Sequence, residues 1–163
     1  MKVLELAVLV TVLVFNREGL SDNDRLWLAR AVQGEVGVMG EYRKLTGSWV
    51  VHVALNRLEA KAVREGSPWE AGDLSWLVYN GFFGARREEV SEPEEWAFKI
   101  VDDALEQRAE SGDVTQGAMY ILGGIDINEC IDWESHIASV QRPGWLFSVH
   151  LFKQFPYVSG CVR

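Results

Sequence analysis

At 163 residues the chain has the length of one domain, and its 48% hydrophobic content, with seven Trp and seven Phe, can bury a core without disulfide staples. That composition excludes a disordered or fibrous chain. A formal net charge of -8 excludes binding nucleic acid or an anionic membrane through a general positive field, which draws on clustered Lys and Arg. Arg86, Arg87 and Arg142 are the places where a polyanion could be gripped locally, and a solvated surface role is the plainer reading of each.

The first predicted element is an apolar run of about ten residues over 6–15, behind Lys2 and Glu5, too short to cross a bilayer. Its length suits the core of a signal peptide. Against cleavage, Glu5 interrupts its start, and Asn16, Arg17 and Glu18 offer no small-x-small site. The alternative is a strand or helix packed on the domain, and the Val and Thr content of 8–14 leaves both open. Residues 1–20 are therefore set apart as an N-terminal segment, and 21–163 form the domain.

Ser21 with Asp24 three residues on reads as a capping-box-like helix start. Leu28, Ala31, Val32 and Glu35 then recur at helical spacing, so Glu35 faces inward with the aliphatic residues just before Gly37. Desolvation disfavours a charged carboxylate and raises its pKa, which suits a general acid near neutral pH. Residues 37–47 are expected as a loop carrying Glu41, Tyr42, Arg43 and Lys44 that can reach across a site. A buried helix is expected over about 48–61, with Trp49, Val50, Val53, Ala54 and Leu58 on a wide apolar face. His52 is expected to face a neighbouring helix as a satisfied polar side chain.

The run Ser67, Pro68, Trp69, Glu70 predicts another helix start, continuing to about Tyr79. The loop after Asn80 and Gly81 presents Phe82 and Phe83 among glycines, either lining a ligand groove or packing on the core. A helix from Ser91 to about Glu110 is expected to be the longest and to serve as scaffold. Residues 117–124 are glycine-bounded and apolar, as a strand or extended loop would be.

Asp126, Asn128, Glu129, Asp132 and Glu134 crowd one segment without the glycine and terminal glutamate of an EF-hand loop, so a solvated acidic loop is expected. Cys130 and Cys161 have no zinc-ligand spacing, and either one disulfide or two thiols fits them. His136 and His150 have no helical partner at metal-ligand spacing. No metal and no cofactor is expected.

Four blocks stand in order: Ala-Arg-Ala-Val-Gln-Gly-Glu ending at Glu35, Val-His-Val-Ala-Leu-Asn-Arg over 51–57, Gly-Ala-Met-Tyr ending at Tyr120, and His150 to Phe152. Together, over about residues 24–155, they resemble the SleB-like cell-wall hydrolases, which include the spore-cortex lytic enzymes. The resemblance implies a mainly α (α+β) fold, a lysozyme-like helical domain with a small strand element, that cuts peptidoglycan glycan strands. It makes Glu35 the catalytic acid, the residue that helical spacing also selects. It places Asn56 and Tyr120 at the substrate groove, with His150 and Phe152 near its floor. Members usually carry a second glutamate closer behind the first, where Glu41 stands here, and a Tyr-Tyr-Asn run is replaced by Tyr120 and the glycine-bounded segment after it.

With one well-placed carboxylate, the leading expectation is a lytic transglycosylase acting between N-acetylmuramic acid and N-acetylglucosamine, because ordinary glycoside hydrolysis needs two. The alternatives are a hydrolytic muramidase that uses Glu41 or a downstream acid, a non-catalytic glycan-binding or phage structural module, and a helical interaction protein. The expected partner is peptidoglycan, met by a monomer either exported to the cell envelope or encoded by a phage.

Overall fold

The computed structural model describes residues 20–124, 135–143 and 145–151. Its elements in chain order are helix α1 (Asp22–Val36), a 3-10 stretch (Gly37–Tyr42), α2 (Arg43–Glu65), α3 (Asp73–Gly81), two short 3-10 turns (Phe83–Arg86 and Glu88–Val90), α4 (Glu95–Ser111), and strands β1 (Tyr120–Gly124), β2 (His136–Arg142) and β3 (Trp145–His150). The fold is mainly α, with one small antiparallel sheet of strand order β1-β3-β2. Residues 1–19 of the N-terminal segment, the acidic segment over 126–134, Phe152, Cys130 and Cys161 lie outside the described residues.

The start of α1 is the capping box read from the sequence. Ser21 Oγ accepts from the Asp24 N–H at 3.1 Å, and Asp24 accepts from the Ser21 N–H at 3.0 Å. Asp24 does more than cap. Fully buried, it also accepts from the Ser75 N–H at 2.9 Å, the Ser75 hydroxyl at 2.6 Å and the Gly72 N–H at 3.2 Å. One carboxylate thus fixes the starts of α1 and α3 together. Burial pushes its pKa up, but the bonds from Ser75, Ser21 and Gly72 outweigh burial and hold it below its ordinary value.

Helix α2 is the central element and, at 23 residues, is longer than α4 at 17, which was expected to be the longest. Trp49, Val50, Val51, Val53, Ala54, Leu55 and Leu58 are all buried, as befits a helix packed on several sides. The loop expected over 37–47 is instead helical apart from a kink at Gly40, whose φ is 58°. Gly47 does not break the helix. A Cβ there would lie 2.9 Å from Ile100 Cγ2 and 3.1 Å from Val32 Cγ1, so this glycine lets α1, α2 and α4 approach closely. Similarly, α3 begins at Asp73, six residues after the Ser67 start, because Gly72 takes φ 96° and donates to Asp24.

The sheet covers the end of the helical layer. Tyr120 pairs with His150 and Ile121 with Val149, while β2 pairs from His136 opposite His150 to Arg142 opposite Trp145, with an irregularity between His136 and Ala138. Phe147 on the central strand stacks on Trp49 of α2, with centroids 6.4 Å apart, which ties the sheet to the core. Arg142 is not simply solvated, since it donates to the Val38 carbonyl and fastens β2 to the 3-10 stretch. Among the described residues, no helix is long and apolar enough to cross a membrane.

Candidate active site

Glu35 lies in the last turn of α1, where the 3-10 turn Phe83–Arg86 crosses that helix. The crossing depends on two glycines. A Cβ on Gly84 would lie 2.6 Å from the Gly34 carbonyl carbon, and one on Gly34 would overlap the Gly84 carbonyl. Without side chains the backbones touch, and the Gly84 N–H donates to Glu35 Oε1 at 2.9 Å. Burial raises the Glu35 pKa, while the Gly84 bond and the positive charges of Arg57 and Arg87 oppose the rise without cancelling it. The result is a half-buried carboxyl that holds its proton to higher pH than an ordinary glutamate.

The other side of Glu35 opens into a cleft of about 560 Å³ formed by the C-terminal half of α2, the end of α3, the turn after it and the start of β1. Arg57 reaches across it. Its Nε donates to the Met119 carbonyl at 2.6 Å and its Nη1 to the Gly81 carbonyl at 3.1 Å, so one side chain braces both banks. The guanidinium carbon also sits 4.6 Å from the centroid of Phe82 and 5.1 Å from that of Tyr120. A Cβ at Gly81 would lie 2.7 Å from Arg57 Nη1, so the glycine leaves the guanidinium room to sit in this position.

The two expectations for the aromatic pair each hold for one residue. Phe82 is buried under Arg57, whereas Phe83 is 77% exposed and lines the cleft. Tyr120 lines it as well, beside Ile121. Among the described residues, Glu35 is the sole carboxylate in the lining. Arg86 is exposed, as expected, and lies over the rings of Phe83 and Tyr79.

Asn56, Glu41 and His150 are not part of this cleft. Asn56 is buried behind it, donating to Asp113 at 2.9 Å, Thr115 at 3.2 Å and the Ala118 carbonyl at 2.8 Å, and accepting from Arg108 at 2.7 Å. Successive residues on a helix point about 100° apart, so with Arg57 in the cleft Asn56 is turned into the core. Glu41 is exposed and lines grooves elsewhere, one with Trp49 and Gln107 and another with Gln141 and Pro143. His150 is buried in the sheet, within 2.9 Å of Ser148 Oγ and 3.2 Å of Ser135 Oγ, and edge-on to His136.

His52 joins the network around Asn56 rather than any open site. It is fully buried, with Nδ1 3.4 Å from Asp113 Oδ1, and Arg108 adds bonds to Asp113 at 3.3 Å and Glu59 at 2.9 Å. Burial pushes the Asp113 carboxyl up, but bonds from His52, from the Thr115 hydroxyl and from the Thr115 and Gly117 backbones hold it well below the usual carboxylate range. Asn56 grips residues 113–118 while Arg57 grips Met119, so two adjacent side chains set where Tyr120 enters the cleft. Among the described residues, no group of three or more His, Cys, Asp or Glu is arranged to hold a metal ion.

The chemistry open to such a site is protonation of a leaving group by Glu35, followed by acceptance of a proton by the resulting carboxylate. Arg57 and the Gly84 N–H would stabilise that carboxylate once it forms. No protein-family model, no curated protein and no solved structure matches the chain.

Proposed function

We propose that the protein is a peptidoglycan-cleaving glycosidase of the SleB-like kind, acting as a lytic transglycosylase on the bond between N-acetylmuramic acid and N-acetylglucosamine. The observation that carries this reading is the desolvated Glu35 carboxyl, held by the Gly84 N–H in a cleft where, among the described residues, it has no carboxylate companion. Two-carboxylate hydrolysis needs a partner acid across the scissile bond. Glu41, the candidate for that role in a muramidase, lines other grooves.

One carboxyl is enough when the substrate brings its own nucleophile. Glu35 donates its proton to the glycosidic oxygen as the bond from muramic C1 breaks, and the N-acetylglucosamine side leaves as an alcohol. The muramic 6-hydroxyl then attacks C1 and gives its proton to the Glu35 carboxylate. The product is a 1,6-anhydro sugar, no water is consumed, and the acid is regenerated. Phe83 and Tyr120 offer ring faces against which sugars can stack.

Release of soluble fragments from purified peptidoglycan by the wild type and by Glu35→Gln tests this reading. The expected result is a loss of about 10²-fold or more in rate with binding of the glycan retained. Equal release by both proteins would contradict it, and retained binding with no release by either would identify a non-catalytic glycan-binding module.

A further inference from the structure

Helix α2 presents Arg57, Lys61 and Arg64 along the cleft at spacings of four and three residues, which places them on one helix face. A row of cations is unexpected in a chain of net charge -8. Lys61 is neutralised by Glu65 at 2.9 Å and Asp73 at 3.3 Å. Arg57 and Arg64 have no carboxylate within ion-pair distance among the described residues. The bonding partners of Arg57 are two carbonyls and two ring faces, so its charge is solvated by neutral groups and its pKa is lowered by burial. Glu35, the acid lining the same cleft, carries its proton to higher pH than usual. A half-buried guanidinium whose hydrogen-bonding and ring partners are all neutral is a ready receptor for an anion, and its planar fork matches a carboxylate.

Building on the glycosidase reading, we propose that the Arg57–Arg64 face of α2 is a subsite for a carboxylate carried by the glycan, so that the cleft selects strands whose muramic lactyl carboxylates are free. A stem peptide joined to the lactyl group by an amide removes that charge at the sugar. The enzyme therefore acts best where a peptide-cleaving amidase has already stripped the strand. The protein's overall negative charge repels polyanions at a distance, so the attraction is local and is screened by salt.

The test is equilibrium binding to full-length Glu35→Gln of three probes: peptide-free glycan strands with free lactyl carboxylates, the same strands converted to primary amides, and neutral chitotetraose. The free-carboxylate strands are expected to bind about tenfold more tightly than the amides at low ionic strength. The preference should shrink both with added salt and in the Glu35→Gln/Arg64→Gln double variant. Arg64 is exposed, so that change does not threaten folding. Equal affinity for acid and amide strands, with chitotetraose also bound, overturns the carboxylate subsite while leaving the glycosidase reading intact. Failure of all three glycans overturns both. If D-lactate alone still perturbs the Arg57 and Arg64 side-chain resonances in that case, the anion site survives and the glycan reading falls.

Discussion

In the proposed reaction Glu35 meets two opposed demands, since it holds its proton to higher pH than an ordinary glutamate and is then stabilised without it. Burial meets the first, and the Gly84 N–H with Arg57 meets the second. Because its folded pKa is raised, kcat/KM for glycan cleavage should fall as pH rises through that value. Stability carries the same sign. Below the unfolded value the group costs nothing, and between the unfolded and folded values the native state binds more protons, so stability declines with pH. Glu35→Gln should therefore raise Tm at neutral pH and leave it nearly unchanged in acid, as a pair of thermal melts would show. Gly84→Ala forces the backbones apart and should destabilise by about 1–3 kcal/mol. It also loses a bond that favours the carboxylate, so the alkaline limb of its pH–rate profile should move up; an unmoved limb would mean that Gly84 is only a packing residue. Glu35 was legible in the sequence because its spacing joins it to Leu28, Ala31 and Val32. Arg57 was passed over in favour of Asn56, although the row Arg57, Lys61, Arg64 was there to be read as the cleft face of α2.

At the scale of elements, the join between α1 and α3 rests on Asp24, whose carboxylate serves both helix starts. Asp24→Ala leaves a buried backbone donor at Ser75 and a half-buried one at Gly72 without this partner and should cost about 2–4 kcal/mol in urea unfolding, several times the effect of removing an ordinary exposed cap. Only half of this was visible beforehand. The capping box is a local pattern, while the second set of bonds spans about fifty residues of chain and has no local signature. Helix boundaries failed for a related reason. The loop expected to run to Gly47 is helical because Gly47 serves contact with Ile100 and Val32 inside α2, and the helix expected from Ser67 starts instead at Gly72 and Asp73, where tertiary bonds to Asp24 place it. The pairing of β2 and β3 left only a weak sequence trace, because β3 is buried almost throughout and shows no alternation.

Across the whole molecule, the polar network of His52, Asn56, Glu59, Arg108 and Asp113 links α2 and α4 to the segment that delivers Tyr120. Asp113 is held well below its unfolded pKa, so its contribution is fully present above the unfolded value and is lost progressively as pH falls from there toward the lower folded value. The protein should lose stability in acid, and Asp113→Asn should lower stability at pH 7 by about 2–4 kcal/mol while flattening its dependence on pH below about 5. If the unfolding free energy of that variant keeps the wild-type slope in acid, the network is not the source of the acid sensitivity. The helical architecture was legible from helical periodicity, and of the sheet only the glycine-bounded segment 117–124 showed, as a strand or extended loop, whereas a network assembled from α2, α4 and the segment after α4 was not legible. The central claim remains the single carboxyl that regenerates itself without water. Mass spectrometry of the muropeptides released from purified peptidoglycan by the wild-type protein tests it most directly. The account predicts 1,6-anhydromuramic ends that disappear with Glu35→Gln, whereas ordinary reducing ends would contradict it and demand a second carboxylate.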